Sequence, residues 1–262
     1  MSYFFTTLAV GEPYFSKSIE TYKTLHQKTE VGNFNITTSK ADFERLKEIS
    51  GYTFEEWKEE FPRVNISVIE DMTRLSFPYH MEGYGFTFNL NLKVLALKAC
   101  LLSGIPFDYL IFTDGDWGIH DGFEEQKLFN FFEVLKANDI DIAFERPAQI
   151  GNYKANNLQD CFFLEKLHEY NALEHSVYDE AHVVNEQFLG FINNWKFRLF
   201  TQKWEQMLWY TISNNIRNYP DGFEIGVAAL ESKMNWGWYY FGALSSCFYF
   251  YAKYTDTKYI KF

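Results

Sequence analysis

Cysteine is scarce and scattered in this chain. Of 262 residues only Cys100, Cys161 and Cys247 are cysteines, and their separation matches no metal-ligand or redox spacing. A sparse, odd count suits a reducing compartment and buried apolar roles. Long apolar runs are missing as well: no stretch reaches the ~18 residues of a membrane-spanning helix. The opening MSYFFTTLAVGEPYF has no basic region before its apolar run and no small-residue cleavage site. It therefore reads as a first strand and not as a leader. The expectation is a cytoplasmic protein without a transmembrane segment. Positive charge is in deficit, with 24 Lys and Arg against 35 Asp and Glu for a net charge of −11. That balance disfavours nucleic acid or an anionic membrane as partner. A phosphate-bearing ligand would need a metal, local cations or helix N-termini.

Aromatic residues, by contrast, are abundant: 28 Phe, 18 Tyr and 7 Trp make up 20% of the chain. Most are expected to fill the core, because each ring buries a large area; rings near a site would also stack on sugars or bases. No internal repeat or low-complexity linker interrupts the sequence. A chain of this length can form one domain burying roughly 70–75% of its unfolded surface.

The pattern along the chain alternates. Tyr3 to Val10 is a strand candidate, and Tyr14 to Gln27 a helix with Phe15, Ile19, Tyr22 and Leu25 on one stripe. Asn33 to Thr38 reads as a second strand, Ala41 to Ile49 and Phe54 to Glu60 as short helices, and Val64 to Ile69 as a third strand. This β-α-β-α-β order implies parallel pairing with right-handed crossovers. Asp71 to Phe86 is irregular, with the length of a functional loop. Thr87 to Ser103 reads as a helix, stopped by Gly104 and Pro106. Beyond it, Phe123 to Leu135 is helical, Asp141 to Glu145 and Gln187 to Ile192 are strands, and Gly151 to Glu180 is mixed, with a helix expected at Leu158 to Tyr170. Trp195 to Ile216 and Phe223 to Met234 are helices around the Pro220-Asp221-Gly222 turn signal, and the aromatic tail Trp236 to Tyr254 suits strand or helix.

The most informative stretch is Phe107 to Gly118, FDYLIFTDGDWG. Its apolar run suits a strand buried on both faces of a parallel sheet. The run ends at Thr113 and delivers Asp114-Gly115-Asp116. In extended chain, residues i and i+2 point the same way, so both carboxylates would face one point past the strand end. Gly115, having no Cβ, would let a ligand approach the backbone. Two such carboxylates suit a hard cation shared with substrate phosphates. The alternative is a polar turn with no ligand.

Asp114-Gly115-Asp116 after a buried strand resembles the D-x-D motif of nucleotide-sugar-dependent glycosyltransferases with the GT-A fold. The likeness extends over about 230 residues, Tyr3 to Met234. It rests on the N-terminal β-α-β-α-β half, on the helix with Asn89, Asn91 and Lys93 leading into FDYLIFTDGD, and on EQFLGFINN at Glu186 to Asn194 followed by Lys203-Trp204-Glu205. Thr113 departs from the aromatic or apolar residue common before the first Asp, and no clear D-Q or W-x-E-D signature is present. The resemblance implies an α/β fold: one GT-A-like domain over residues 1–262, with a Rossmann-like nucleotide-binding half (1–116) and a mixed acceptor-side half (117–262). In it a mostly parallel central sheet is flanked by helices. It further implies a metal-dependent, hexosyltransferase-like enzyme moving a sugar from a nucleoside-diphosphate donor, UDP-linked by expectation, to a hydroxyl of a carbohydrate or glycan. Mn²⁺ or Mg²⁺ would be held by Asp114 and Asp116, and the nucleotide contacted by Thr7, Ala9, Lys93, Asp114 and Gly115. Lys93 has a plainer alternative as a surface lysine. Catalytic carboxylates would be Glu224, Asp221 or Glu186, although the first two also suit helix capping. His182 and His120 are lesser metal-ligand candidates. Among rivals, a haloacid-dehalogenase-type phosphatase wants Gly after the second Asp, where Trp117 stands, and a nuclease wants a basic groove. A non-catalytic carbohydrate- or nucleotide-sugar-binding protein is the remaining alternative.

Overall fold

The computed structural model describes residues 1–70, 92–149, 182–213, 221–239, 248–251 and 258–259. The loop expected at Asp71 to Phe86, the residues Asn89 and Asn91, and the stretch Gly151 to Glu180 lie outside them. The first half runs β1 (Tyr3–Leu8), α1 (Tyr14–Lys28), β2 (Gly32–Ser39), α2 (Lys40–Glu44), α3 (Leu46–Ser50), α4 (Phe54–Glu60) and β3 (Val64–Ile69). It continues through α5 (Lys93–Leu102), β4 (Tyr109–Thr113), β5 (Trp117–Ile119) and α6 (Glu125–Ala137). Then come β6 (Ile142–Gln149), β7 (His182–Ile192), α7 (Trp195–Ser213), α8 (Asp221–Glu231), β8 (Trp236–Tyr239), β9 (Phe248–Tyr251) and β10 (Lys258–Tyr259).

Local chemistry accounts for most boundaries. The α1 stripe of Phe15, Ile19, Tyr22 and Leu25 is buried as its spacing requires. Helix α4 begins in a capping box between Thr53 and Glu56, which satisfies two orphan donors reciprocally. The single helix expected over Ala41 to Ile49 is instead two, because the Arg45 N–H bonds Asp42 O, three residues back, and ends α2. The aromatic tail, open between strand and helix, supplies strands β8 and β9.

Seven strands form one sheet in the order β3-β2-β1-β4-β7-β6-β8. The four N-terminal strands are parallel; β7 runs antiparallel to β4 and β6, and β8 is parallel to β6. The sheet is mixed, mostly parallel, and takes strands from both halves of the chain. A second sheet, β10-β9-β5, begins directly after the acidic triplet.

Helices cover both faces. Phe4, Leu110 and Phe112 pack with α5, α7 and α8, whereas Tyr3, Phe5, Tyr109 and Ile111 pack with α1 and α6. Strands β1 and β4 thus split their side chains alternately between two cores, which is why they read as continuous apolar runs. The expectation that aromatics fill the core holds among the described residues: Trp57, Trp204, Tyr3, Tyr22, Phe4, Phe5, Phe15, Phe34, Phe112, Phe132 and Phe144 are its largest fully buried side chains. Gly190 on β7 is required by this packing, because a Cβ there would lie 2.7 Å from the Phe131 ring. Among the described residues no helix is long and apolar enough to cross a membrane.

Candidate functional site

The carboxyl end of β4 gathers the acidic residues. Alternation along β4 sends Leu110 and Phe112 toward the α5 face, and the same row continues past the strand at Asp114. There Lys93, the first residue of α5, places Nζ 2.7 Å from Asp114 Oδ1. The pair is sheltered, with side chains 9% and 21% exposed respectively. Lys93 Nζ also lies 5.9 Å from the Phe112 ring centroid, within reach of a cation–π contact. The surface-lysine reading of Lys93 is therefore overturned: the onset of α5 carries it into the protein beside a carboxylate.

The chain then turns. Trp117 N–H donates to Asp114 O at 3.2 Å, closing a four-residue turn of the kind that Asp and Gly favour. The extended-chain geometry expected to converge Asp114 and Asp116 does not persist through this turn, so strand alternation does not set the direction of Asp116. Asp116 is 7% exposed.

Helix α1 clamps the turn from the opposite face. Ser18 Oγ donates to Gly115 O at 3.2 Å, and Thr21 Oγ1 donates to Trp117 O at 2.8 Å. A Cβ on Gly115 would stand 3.1 Å from Leu8 O, 3.3 Å from Tyr14 Cβ and 3.5 Å from Ala9 Cα. The missing side chain thus admits the protein's own β1–α1 connection. On that side, the expected ligand approach is corrected by close internal packing. Ser18 and Thr21 escaped the sequence reading, although two small hydroxyl residues three apart within the buried α1 stripe are a visible signal.

The remaining candidates are dispersed. Thr7 and Ala9 have no exposed surface; Ala9 N–H donates to Thr37 O at 2.8 Å and Thr38 Oγ1 donates to Ala9 O at 2.6 Å. They serve as framework between β1 and β2. Glu224 is fully buried in the first turn of α8, and Asp221 opens the same helix. Glu186 and His182 belong to β7, which borders β4. His120 follows β5, where its carbonyl accepts from Lys28 Nζ.

Among the described residues, no three His, Cys, Asp or Glu side chains are grouped to hold a metal. One carboxylate of the turn is already ion-paired. Such a donor set fits a dication that arrives with substrate phosphates, since Mg²⁺ is usually bound by one or two carboxylates plus phosphates and keeps several waters. It does not fit a resident, fully liganded ion.

An open cleft of ≈ 500 Å³ lies at the other end of β4, lined by Met1, Asp108, Tyr109, Glu133, Lys136, Ile192 and Asn193. Its Asp108 carboxylate accepts from Ser2 N at 2.9 Å and from Ser2 Oγ at 3.1 Å. Ligands of open α/β sheets bind outside the carboxyl ends of the parallel strands, so this cleft lies at the end of β4 opposite the acidic turn. No protein-family model matches this chain, and no curated protein matches it.

Proposed function

We propose that the chain is a metal-dependent glycosyltransferase that moves a sugar from a nucleoside-diphosphate donor, UDP-linked in the first instance, to an acceptor hydroxyl of a carbohydrate or glycan. One observation carries the reading: a sheltered lysine–carboxylate pair and a second, buried carboxylate share one turn at the carboxyl end of a central parallel strand. That is where a doubly wound sheet takes its ligand. A parallel N-terminal half continued by a mixed half supports a GT-A-like version of the fold.

In this mechanism Asp116 would be the principal residue holding Mn²⁺ or Mg²⁺, with Asp114 reaching the metal, its water or the ribose. When bound, such a dication would supply Lewis-acid stabilisation worth several kcal/mol of barrier. Lys93 adds a point charge toward the phosphates. Ser18 and Thr21 hold the turn so that its carboxylates need not reorganise when charge develops. Transfer with inversion also needs a base on the acceptor side. Glu224, Asp221 and Glu186 remain the candidates for it, Glu224 being fully buried in the first turn of α8.

Titration calorimetry against UDP-, GDP-, CMP- and TDP-linked donors, with Mn²⁺ and with chelator, tests this. The expected result is metal-dependent binding of one donor, lost in Asp116→Ala. Binding that survives both chelation and Asp116→Ala would favour a non-catalytic nucleotide-sugar-binding protein. No binding by any donor, with the protein folded, would sink the transferase reading.

A further inference from the structure

We propose that the outer face formed by α5 and α7 docks on an anionic lipid bilayer, lying flat against its headgroups. None of the residues involved belongs to the acidic turn after β4, and the docking is independent of the reaction the chain carries out.

Charge sets this face apart. The chain as a whole has 35 Asp and Glu against 24 Lys and Arg, an average that disfavours an anionic surface. Beyond Lys93, however, α5 and α7 carry Lys98, Lys196, Arg198 and Lys203 against the single carboxylate of Glu205. The exposed positions of α7 are Trp195, Arg198, Gln202, Gln206, Trp209 and Ser213, with no carboxylate among them. Three of the lysines are ion-paired, and in each pair the lysine is the outer partner. Lys98 is 40% exposed against 19% for Glu205, Lys196 20% against 5% for Asp141, and Lys203 35% against 6% for Glu231. In the pairs Lys58–Glu55, Lys127–Glu124, Lys40–Glu70 and Arg45–Glu48 the carboxylate is the outer partner instead, and Arg45–Glu12 is nearly level. In α8, which shares the layer with α5 and α7, Glu224 has no exposed surface, Glu231 is the inner partner of Lys203, and Asp221 stands at the helix start. Ammonium groups that stand outside their carboxylates present positive potential outward. Helix α4, whose Trp57 packs in the core on the other side of the sheet, is acidic by comparison, with the sequence FEEWKEE.

The same two helices expose large apolar side chains. Leu102, the last residue of α5, is 74% exposed, Trp195 64% and Trp209 42%. Trp195 and Trp209 are fourteen residues apart, so 3.6 residues per turn puts both on one stripe about 21 Å long. Trp209 is held in place: its Nε1–H donates to Glu205 Oε1 at 3.2 Å, and Lys98 Nζ of α5 donates to the same oxygen. That shared carboxylate ties the polar edge of the indole to the junction of the two helices. Tryptophan, with an apolar body and a polar tip, suits the headgroup region of a bilayer. Exposed tryptophan and leucine interleaved with cations are the composition of a surface that lies in the interface without crossing it. A nucleic acid or an acidic protein would engage the cations but leave Leu102 without an apolar partner, which favours the bilayer.

The test is flotation of the full chain with vesicles of phosphatidylcholine, alone or mixed in equal parts with phosphatidylglycerol. The parent should partition onto the anionic vesicles on the order of 10-fold more strongly than onto the neutral ones, and high salt should remove most of that difference. Trp195→Ala/Trp209→Ala should weaken the partition by on the order of 10-fold. Gln202→Glu/Gln206→Glu, which adds carboxylates at exposed positions and removes no buried packing, should weaken it by a similar factor, on the order of 10-fold. The glutamine pair keeps the test in force should the tryptophan variant fold poorly. Val134→Ala, at a position of α6 that is 55% exposed on the other side of the sheet, should float like the parent. Parent protein that floats with neither vesicle, or equally with both, would overturn the proposal. So would tryptophan and glutamate variants that keep the parent's partition, or a dimer in solution that the tryptophan substitutions dissolve while the parent ignores vesicles.

Discussion

The two ends of strand β4 handle charge in opposite ways. At the amino end, Asp108, Glu133 and Lys136 line an open cleft of ≈ 500 Å³ and are exposed to water. At the carboxyl end, Lys93 and Asp114 are largely withdrawn from water, and the turn that follows is fixed by two hydroxyls of α1. Exposed pairs contribute little because solvent and salt screen them. Sheltered charges act through a lower effective dielectric, and moving them has consequences. The open amino end is therefore the weaker chemical candidate.

The comparison breaks if the amino end binds donor as well. Asp116→Asn is expected to weaken Mn²⁺-dependent donor binding by on the order of 100-fold or more, beyond the usual loss for a residue that merely orients a metal ligand. Asp108→Asn and Glu133→Gln should leave the same isotherm within about 2-fold, as screened surface charges do. Equal losses at both ends would mean that the ligand was placed at the wrong end.

Gly115→Ala sharpens the contrast in packing. The new Cβ would meet the Leu8 carbonyl at 3.1 Å, a backbone atom that cannot swing aside. A loss of about 1–3 kcal/mol in denaturant unfolding is expected, and parental stability would show that the β1–α1 connection yields freely.

Two tyrosines report the same difference through pH. Tyr22 packs under the carboxyl end, where burial pushes its phenol far above the ordinary range and the Thr113 hydroxyl opposes only part of that shift. Tyr109, beside the cleft, is raised by burial and then by Glu133 and Asp108. Both shifts favour the neutral phenol in the folded state, so their contribution is intact below pH ~10 and declines as the unfolded tyrosines ionise above it. In an ultraviolet titration, Tyr22→Phe should remove signal only from the step that accompanies unfolding. A native-phase loss in Tyr22→Phe would contradict the assigned burial.

The smallest effect belongs to Asp108→Asn. Its exposed bonds to Ser2 should be worth about 1 kcal/mol or less in unfolding experiments; a larger loss would make the cleft a structural anchor.

Much of this architecture was legible in local patterns. Phe4, Phe5, Leu110, Ile111 and Phe112 announce strands covered on both sides, and Phe15, Ile19, Tyr22 and Leu25 announce a one-sided helix, because burial repeats with the geometry of each element. Asp114-Gly115-Asp116 was equally legible as an acidic strand end. Its shape was not, since the spacing fits both extended chain and a turn, and the hydrogen bond from Trp117 to Asp114 chose the turn.

Periodicity and composition by themselves determine where strands β1 to β4 and helices α1, α4 and α6 lie, that their sheet is covered on both faces, and which end of β4 is acidic. The reversed direction of β7, the place of Gly190 against Phe131, the clamping of the turn by Ser18 and Thr21, and the seating of Lys93 on Asp114 arise only in the folded chain. Each joins residues distant in sequence, and such contacts depend on strand order and helix placement, which hydrophobic period does not encode.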